Sequence, residues 1–161
     1  MLDPEMASPR THSISEHVFI DASPELVWKL YDDPAELVRW APSLLTAEIE
    51  GGGPKRLGAK LRCSMKMAGF KMQTVEEVVA YEAPRKSALR GSSPGMGYDM
   101  VLEIVPDGKG TRAYYECVAT YRGAMRLLAR LMNRMNRDMI KSALASLKAE
   151  AERRREPPPR S

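Results

Sequence analysis

The chain has 161 residues, a length that suits one globular domain, and 29% of them are charged while 43% are hydrophobic. No apolar run approaches the roughly 18 residues of a membrane span, and the first residues lack the apolar core of a secretory signal, so we expect a cytoplasmic protein. Cys63 and Cys117 are too few for a disulfide framework, and the two histidines have no paired spacing, so we expect buried thiols and no metal site.

The first predicted elements are a strand and two short helices. Residues 15–22, with the sequence SEHVFIDA, are rich in β-branched and aromatic residues and predict a strand. A serine–proline pair at residues 23–24 is a helix-start signal, and an aspartate–proline pair at residues 33–34 repeats it. Two separately started helices are therefore expected, each with one of the two tryptophans, Trp28 and Trp40.

From residue 44 to residue 122 the apolar residues recur with a period of two, which is typical of half-buried antiparallel strands. Glycine-rich and proline-rich turns divide this region, and residues 106–110 form a hairpin signal. The predicted strands are residues 44–50, 59–67, 70–84, 87–93, 97–105 and 111–122. Successive hairpins of this kind favour a meandering antiparallel sheet.

The last predicted element is a helix over residues 123–155, about 45 Å long. Its proposed apolar stripe contains Leu128, Leu131, Met132, Met135 and Met139. Basic residues form an arc on the opposite side: Arg126, Arg130, Arg134, Arg137, Lys141 and Lys148. We interpret this arc as a solvated face, with docking to an anionic membrane surface or to a protein as alternatives, and we expect no nucleic-acid binding.

The predicted domain organisation is simple. Residues 1–13 are expected to be a flexible lead, and residues 14–155 form a single domain. Residues 156–161 form a tail whose three prolines prevent continuation of the helix.

The order of these elements carries a resemblance to a known family. The segment IDASPELVWKLYDDPAELVRWAP at residues 20–42, the strand VVAYEAPRK at 78–86 and the hairpin DGKGTRAYYE at 107–116 resemble the START-like, or SRPBCC, superfamily. Within it, they resemble the polyketide cyclase/dehydrase and lipid-transport branch. The resemblance implies an α+β helix-grip fold, in which a curved seven-stranded antiparallel sheet wraps around the C-terminal helix and encloses a ligand cavity.

Several residues are candidates for lining that cavity. Methionine is flexible and polarisable, so a methionine-rich wall suits an adaptable apolar pocket, although ordinary core packing is an equal alternative. Trp40 would border the cavity mouth, or else, like Trp28, belong to the core. The predicted ligand-binding residues are Trp40, Met65, Met67, Met72, Met100, Tyr115, Leu128, Met132, Met135 and Met139.

Candidates for catalysis are few. Glu76, Arg90 and Tyr98 are polar residues on predicted strands that could point inward and act on a ligand carbonyl. The competing interpretation is that strand charges face solvent and that tyrosine hydroxyls lie at a rim. We therefore expect a binding protein rather than an enzyme, acting without a cofactor.

The predicted function is the binding of a small hydrophobic or amphipathic ligand of the lipid, polyketide or isoprenoid type. One alternative is a cofactor-independent polyketide cyclase or dehydratase that uses the same cavity. Another is an accessory or interaction protein, such as the accessory factors of carbon monoxide dehydrogenase or the toxin of a toxin–antitoxin pair. The residues do not decide between these functions, nor do they predict the oligomeric state.

Overall fold

One antiparallel sheet of seven strands, in the order β1-β7-β6-β5-β4-β3-β2, forms the frame of the fold in this computed structural model, which describes residues 8–67 and 69–155. The strands are β1 (Arg10–Ile20), β2 (Leu44–Ile49), β3 (Lys60–Met67), β4 (Phe70–Glu82), β5 (Lys86–Ser93), β6 (Met96–Asp107) and β7 (Gly110–Tyr121). The helices are α1 (Pro24–Asp32), α2 (Pro34–Trp40) and α3 (Ala129–Arg154), with a 3-10 turn (Gly123–Leu128) before α3.

The strand at the start of the chain lies at one edge of the sheet, beside the last strand. β1 pairs with β7 along its whole length, from Arg10 opposite Tyr121 to Ile20 opposite Thr111. It therefore begins five residues earlier than the β-branched pattern predicts, and it overlaps the expected lead of residues 1–13. Residues 1–7 of that lead, and the expected tail of residues 156–161, lie outside the described residues.

The two short helices start where the proline signals predict. Ser23 accepts a hydrogen bond at its Oγ from the Leu26 amide at 3.3 Å, and Asp33 accepts one at its Oδ1 from the Ala35 amide at 2.9 Å. Each side chain thus pairs one of the amides that a helix start leaves without a partner. The separate capping of α1 and α2 confirms the prediction of two helices.

The long helix packs against the sheet with a different face from the one that the apolar stripe predicts. Its buried residues are Ala129, Asn136, Ile140, Leu144, Leu147 and Ala151. At about 100° per residue, Leu131 lies roughly 180° from the centre of this face, and it is 55% exposed. No helix in the described part of the chain is both long and apolar enough to cross a membrane.

The start of the long helix explains part of this difference. Gly123–Leu128 is a 3-10 turn, which advances about 120° per residue, so a stripe drawn on one α-helical period does not continue through it. Leu128 belongs to this turn and is half exposed.

The sheet and α3 together enclose the main core. Buried side chains from β1, β6, β7, α1 and α3 form one cluster, and a second cluster joins β2, β3, β4 and β5. The order of elements, the single curved antiparallel sheet and the C-terminal helix confirm the helix-grip fold.

Candidate functional site

A cavity of about 190 Å³ lies between the sheet and α3. Its strand walls come from Leu61, Cys63, Met65, Met67, Met72, Thr74, Glu76, Leu89, Met96, Tyr98, Met100, Leu102, Tyr115 and Cys117. The helix wall comes from Asn136, Met139, Ile140, Ala143, Leu144 and Leu147. Tyr31, Leu37, Trp40, the connection of residues 41–44 and Lys55 close the remaining side.

Strand alternation explains why every second residue of β3 and β4 faces the cavity. Along this hairpin, Met65 lies opposite Met72, Cys63 lies opposite Thr74, and Leu61 lies opposite Glu76. The wall therefore changes from a pair of methionines nearest the hairpin turn to a row that holds a buried carboxyl group. The cavity wall continues past this row to Leu89, Met100 and Leu102, so the buried polar groups form a polar region within a largely apolar wall.

Glu76 and Tyr98 form a hydrogen-bonded pair in this polar region of the cavity wall. Tyr98 donates from its Oη to Glu76 Oε1 at 2.9 Å, and both residues are buried. Gly91 lies between them in the sheet, since it is opposite Glu76 on β4 and opposite Tyr98 on β6. A Cβ at residue 91 would lie 2.3 Å from Tyr98 Cζ, so the absence of a side chain there gives the phenol its path to the carboxyl group.

Lys55 is the second charged residue of this cavity. It lies in the connection between β2 and β3 and is only 3% exposed, an unusual environment for an amine. Its Nζ donates to the carbonyl of Tyr31 at 3.4 Å and lies 4.1 Å from the centre of the Tyr31 ring. Within residues 8–67 and 69–155, no carboxylate lies within ion-pair distance of this Nζ.

Burial shifts the proton equilibria of these groups toward their neutral forms. It raises the pKa of the Glu76 carboxyl, although the Tyr98 hydrogen bond and the charge of Lys55 act in the opposite direction. It lowers the pKa of the Lys55 amine, against the attraction of Asp32 and Glu76. Burial also raises the pKa of the Tyr98 hydroxyl and raises the pKa of the Cys63 thiol to about 12. In this polar region, burial therefore acts toward the neutral forms of the acid and the amine.

Hydrogen bonds from Tyr81 and Trp40 hold α1 and α2 in place beside the cavity. Tyr81 donates from its Oη to both carboxylate oxygens of Asp32, at 3.0 and 2.8 Å, and links β4 to the end of α1. Trp40 donates from its Nε1 to the carbonyl of Leu30 at 2.8 Å and lines the cavity, whereas Trp28 is buried in the core. The two tryptophans thus occupy different environments.

The structure brings together most of the residues predicted to bind ligand. The cavity wall includes Trp40, Met65, Met67, Met72, Met100, Tyr115 and Met139. It does not include Leu128, Met132 or Met135. Leu128 belongs to the 3-10 turn, and Met132 packs against the main core instead. Lys55 has no sequence signal of its own, since a lysine after a run of glycines is typical of a solvated loop.

The three catalytic candidates separate into two groups. Glu76 and Tyr98 meet inside the cavity, but Arg90 points to the outer face of the sheet, where its Nε donates to Asp99 Oδ1 at 2.7 Å. The Arg90 side chain is 66% exposed. Strand alternation accounts for the difference, because Arg90 immediately precedes Gly91, which lies in the row of Glu76 and Tyr98.

A wider depression of about 540 Å³ lies on that outer face. Its lining includes the charged residues Lys60, Glu77, Arg90, Asp99 and Arg122. Arg90 and Asp99 pair with each other, and all five are exposed, as is usual for the solvent side of a half-buried sheet. We place the candidate site inside the fold, because the smaller inner cavity is the one that gathers buried polar groups.

The basic arc of the helix is partly neutralised by the protein itself. Arg137 and Lys141 lie 3.8 and 3.9 Å from the same carboxylate oxygen of Glu16 on β1, and Lys148 pairs with Glu152 at 2.6 Å.

In the described ranges, no group of three or more His, Cys, Asp or Glu residues could hold a metal ion.

The family model described as polyketide cyclase/dehydrase and lipid transport matches residues 11–152. Among solved structures, the ZhuI aromatase/cyclase from Streptomyces sp. R1128 is similar, with a TM-score of 0.78, 17% identity and coverage of 90% of this chain and 96% of that chain. The protein TTHA0849 from Thermus thermophilus has a TM-score of 0.72 at 18% identity, covering 87% of this chain and 97% of that one.

A plant protein has the same fold. The major latex-like protein 151 from Panax ginseng has a TM-score of 0.67 at 12% identity, covering 88% of this chain and 97% of its own. Among curated proteins, none matches the sequence significantly. At these identities the structural matches establish the fold.

Proposed function

This chain belongs to the polyketide cyclase/dehydrase and lipid-transport family, and we propose that it binds one small, mainly apolar molecule that carries a polar group. The observation that supports this most strongly is the composition of the cavity wall, in which methionines and other apolar side chains surround three buried polar residues, Glu76, Tyr98 and Lys55. A cavity of this kind fits an amphipathic ligand, because few polar groups fix its orientation while apolar contacts supply affinity.

The apolar part of the ligand would lie against methionine side chains. Met65, Met72 and Met100 project from the sheet, and Met139 projects from α3. Flexible thioether side chains adjust to ligands of different shape, so this wall favours a range of related apolar molecules over one rigid skeleton.

The polar part of the ligand would lie near Glu76 and Lys55. A protonated Glu76 can donate one hydrogen bond, and the hydroxyl of Tyr98, which donates to Glu76, can accept one from a ligand. Carbonyl and hydroxyl groups of a ligand match such partners. The carboxylate of a fatty acid would instead be buried beside Glu76, where burial already disfavours negative charge. We therefore expect neutral oxygen-bearing ligands to bind better than fatty acids of the same length.

Displacement of a fluorescent apolar probe tests this proposal. The purified protein is loaded with the neutral probe N-phenyl-1-naphthylamine and titrated with straight-chain alcohols, ketones and carboxylic acids of matched length. We expect displacement by alcohols and ketones at lower concentrations than by acids. Equal potency of all three classes would contradict the proposal that Glu76, Tyr98 and Lys55 contact the polar group of the ligand.

Two methionines of α3 provide a matched pair of variants. Met139→Trp places a large ring in the cavity wall, whereas Met135→Trp changes a residue of the same helix that is not part of that wall. We expect only Met139→Trp to abolish displaceable probe binding. Loss of binding in both variants, or in neither, would contradict a ligand site in this cavity.

A second candidate function is catalysis of a cyclisation or dehydration in the same cavity. The Glu76–Tyr98 hydrogen bond favours it, since a buried acid with a raised pKa can transfer a proton at neutral pH. Conversion of a poly-β-ketone substrate that is lost in Glu76→Gln, while binding is retained, would support this activity. Binding without conversion would favour the carrier function.

A further inference from the structure

The amine of Lys55 has no role in the binding of a purely apolar molecule. We propose that Lys55 is a nucleophile that captures aldehyde or ketone ligands as a reversible imine, an inference that rests on the proposed ligand cavity. The juxtaposition behind it is a buried primary amine and a buried carboxylic acid in the wall of one cavity, where a ligand carbonyl would meet both.

The position of the amine fits this role better than a structural one. A buried lysine that stabilises a fold normally pairs with a carboxylate. Among residues 8–67 and 69–155, the contacts of Lys55 Nζ are instead a long hydrogen bond to the Tyr31 carbonyl, at 3.4 Å, and a contact with the Tyr31 ring. The side chain is 3% exposed and still lines the cavity. As a free base, the nitrogen can donate to Tyr31 and keep its lone pair for a ligand.

The surroundings favour the free base. Burial lowers the pKa of the amine, and the groups that act against this shift are Asp32, Glu76 and Cys63. Burial also raises the pKa of Cys63, to about 12, so its thiol adds no negative charge at neutral pH. A desolvated lysine in an apolar pocket is the usual form of an amine nucleophile.

The proposed step balances without a further reactant. The Lys55 lone pair forms a bond to the carbonyl carbon, and the carbonyl electron pair moves to oxygen, which takes a proton from Glu76. The nitrogen returns a proton to Glu76, giving a neutral carbinolamine. Glu76 then protonates the hydroxyl group, and water leaves as the C=N bond forms. The resulting iminium cation is balanced by the Glu76 carboxylate, and addition of water reverses the sequence.

Reductive trapping tests the proposal on the full chain. The protein is incubated at pH 7 with octanal and sodium cyanoborohydride, and the alkylated lysines are mapped by peptide mass spectrometry. Exposed Lys60, Lys66 and Lys71 serve as internal references. We expect Lys55 to be alkylated about tenfold faster than any of them, since exposed lysines are almost entirely protonated at pH 7.

Variants distinguish the imine from a general increase in reactivity. Glu76→Gln keeps the amine but removes the acid, and should slow alkylation of Lys55 while the exposed lysines react as before. Lys60→Arg is the matched control and should leave the rate at Lys55 unchanged. Alkylation of Lys55 no faster than that of Lys60 would overturn the proposal, as would an unchanged rate in Glu76→Gln.

Octan-1-ol separates this proposal from the one on which it rests. It has the same chain length as octanal but cannot form an imine. Binding of octan-1-ol without alkylation of Lys55 by octanal would overturn the imine and leave the ligand cavity intact. Absence of octan-1-ol binding, together with absence of alkylation, would overturn both.

Discussion

Tyr98 reaches Glu76 across two strand spacings, and its Oη donates to Glu76 Oε1 at 2.9 Å because the intervening residue on β5 is Gly91. The three residues form one transverse row of the sheet. The hydrogen bond pairs a buried hydroxyl with a buried carboxyl, and leaving either group unpaired would cost about 1–3 kcal/mol. The Glu76–Tyr98 pair in the cavity wall therefore depends on the absence of a side chain at Gly91.

A methyl group at residue 91 should separate this pair. In Gly91→Ala, the new Cβ would lie within 2.4 Å of both Tyr98 Cζ and Tyr98 Oη, so the ring must move away from Glu76. We expect affinity for a neutral polar-ended ligand to fall about tenfold, which corresponds to ~1.4 kcal/mol. Probe displacement measures this change.

Gly97→Ala is the matched control for that variant. Gly97 lies on the neighbouring strand β6, and a Cβ there would have no atom within 4 Å. We expect its ligand affinity to stay within twofold of the wild type. Equal losses in the two variants would show that substitution of a strand glycine, and not displacement of Tyr98, is responsible.

Protonation of Glu76 should make stability depend on pH. Burial raises the pKa of Glu76 in the folded state, so the folded protein holds a proton that the unfolded chain releases as the pH rises above about 4.5. The sign follows from linkage: stability contributed at low pH is lost as the pH rises through the folded pKa. Urea denaturation at several pH values should show this fall in the wild type and a flatter profile in Glu76→Gln. A wild-type profile as flat as that of Glu76→Gln would contradict the raised pKa.

Replacement of Lys55 should increase the stability of the protein and reduce its preference for carbonyl ligands. Lys55→Met keeps the length of the apolar stem but removes a buried amine that lacks an ion pair among the described residues. We expect the free energy of unfolding at neutral pH to increase by about 1–3 kcal/mol, the typical cost of burying a poorly paired polar group. Preference for ketones over alkanes should decrease at the same time. A loss of stability would indicate that the Tyr31 contacts of Lys55 outweigh its desolvation.

Substitution of Arg90 should not change the affinity of the cavity for its ligand. Its side chain lies on the outer face of the sheet and pairs with Asp99. We expect Arg90→Ala to leave ligand affinity within twofold of the wild type in the probe displacement assay. A tenfold loss would instead place Arg90 in the ligand site.

Trp40 should contribute to stability through its indole hydrogen bond. Trp40→Phe keeps an aromatic ring at the cavity wall but removes the donor to the Leu30 carbonyl, which lies at 2.8 Å. We expect the free energy of unfolding to fall by about 1 kcal/mol, the usual net value of one hydrogen bond. The fluorescence of Trp28, then the sole tryptophan, reports the transition. An unchanged midpoint in urea would contradict a structural role for this bond.

Much of the fold could be predicted from local signals. The cap-and-proline pairs at residues 23–24 and 33–34 fix the two helix starts by short-range hydrogen bonds, and strand alternation separates inward from outward side chains. Such signals depend only on neighbouring residues. The residue pattern predicts a start of β1 at residue 15, but the strand begins at Arg10, because its first residues are held by distant pairing with β7.

The site was harder to predict, because its polar groups meet through tertiary packing. Glu76 and Tyr98 lie 22 positions apart in the sequence, and their contact depends on the register of three strands. Lys55 lies in a loop whose composition is typical of solvent exposure, yet it is buried and packs against Tyr31. The predicted helical stripe is wrong at Leu128 and Leu131, which are exposed, although Met139 lines the cavity. The buried face centres instead on Ile140, Leu144 and Leu147.

Native mass spectrometry of the purified protein tests the central claim most directly, with Met139→Trp measured beside it under the same conditions. We expect the wild type to retain one small molecule per chain, which is released on denaturation and contains an apolar body with at least one neutral oxygen group. We expect Met139→Trp to be empty. A wild type that is empty and does not take up alcohols or ketones of any tested length would contradict the proposed ligand cavity.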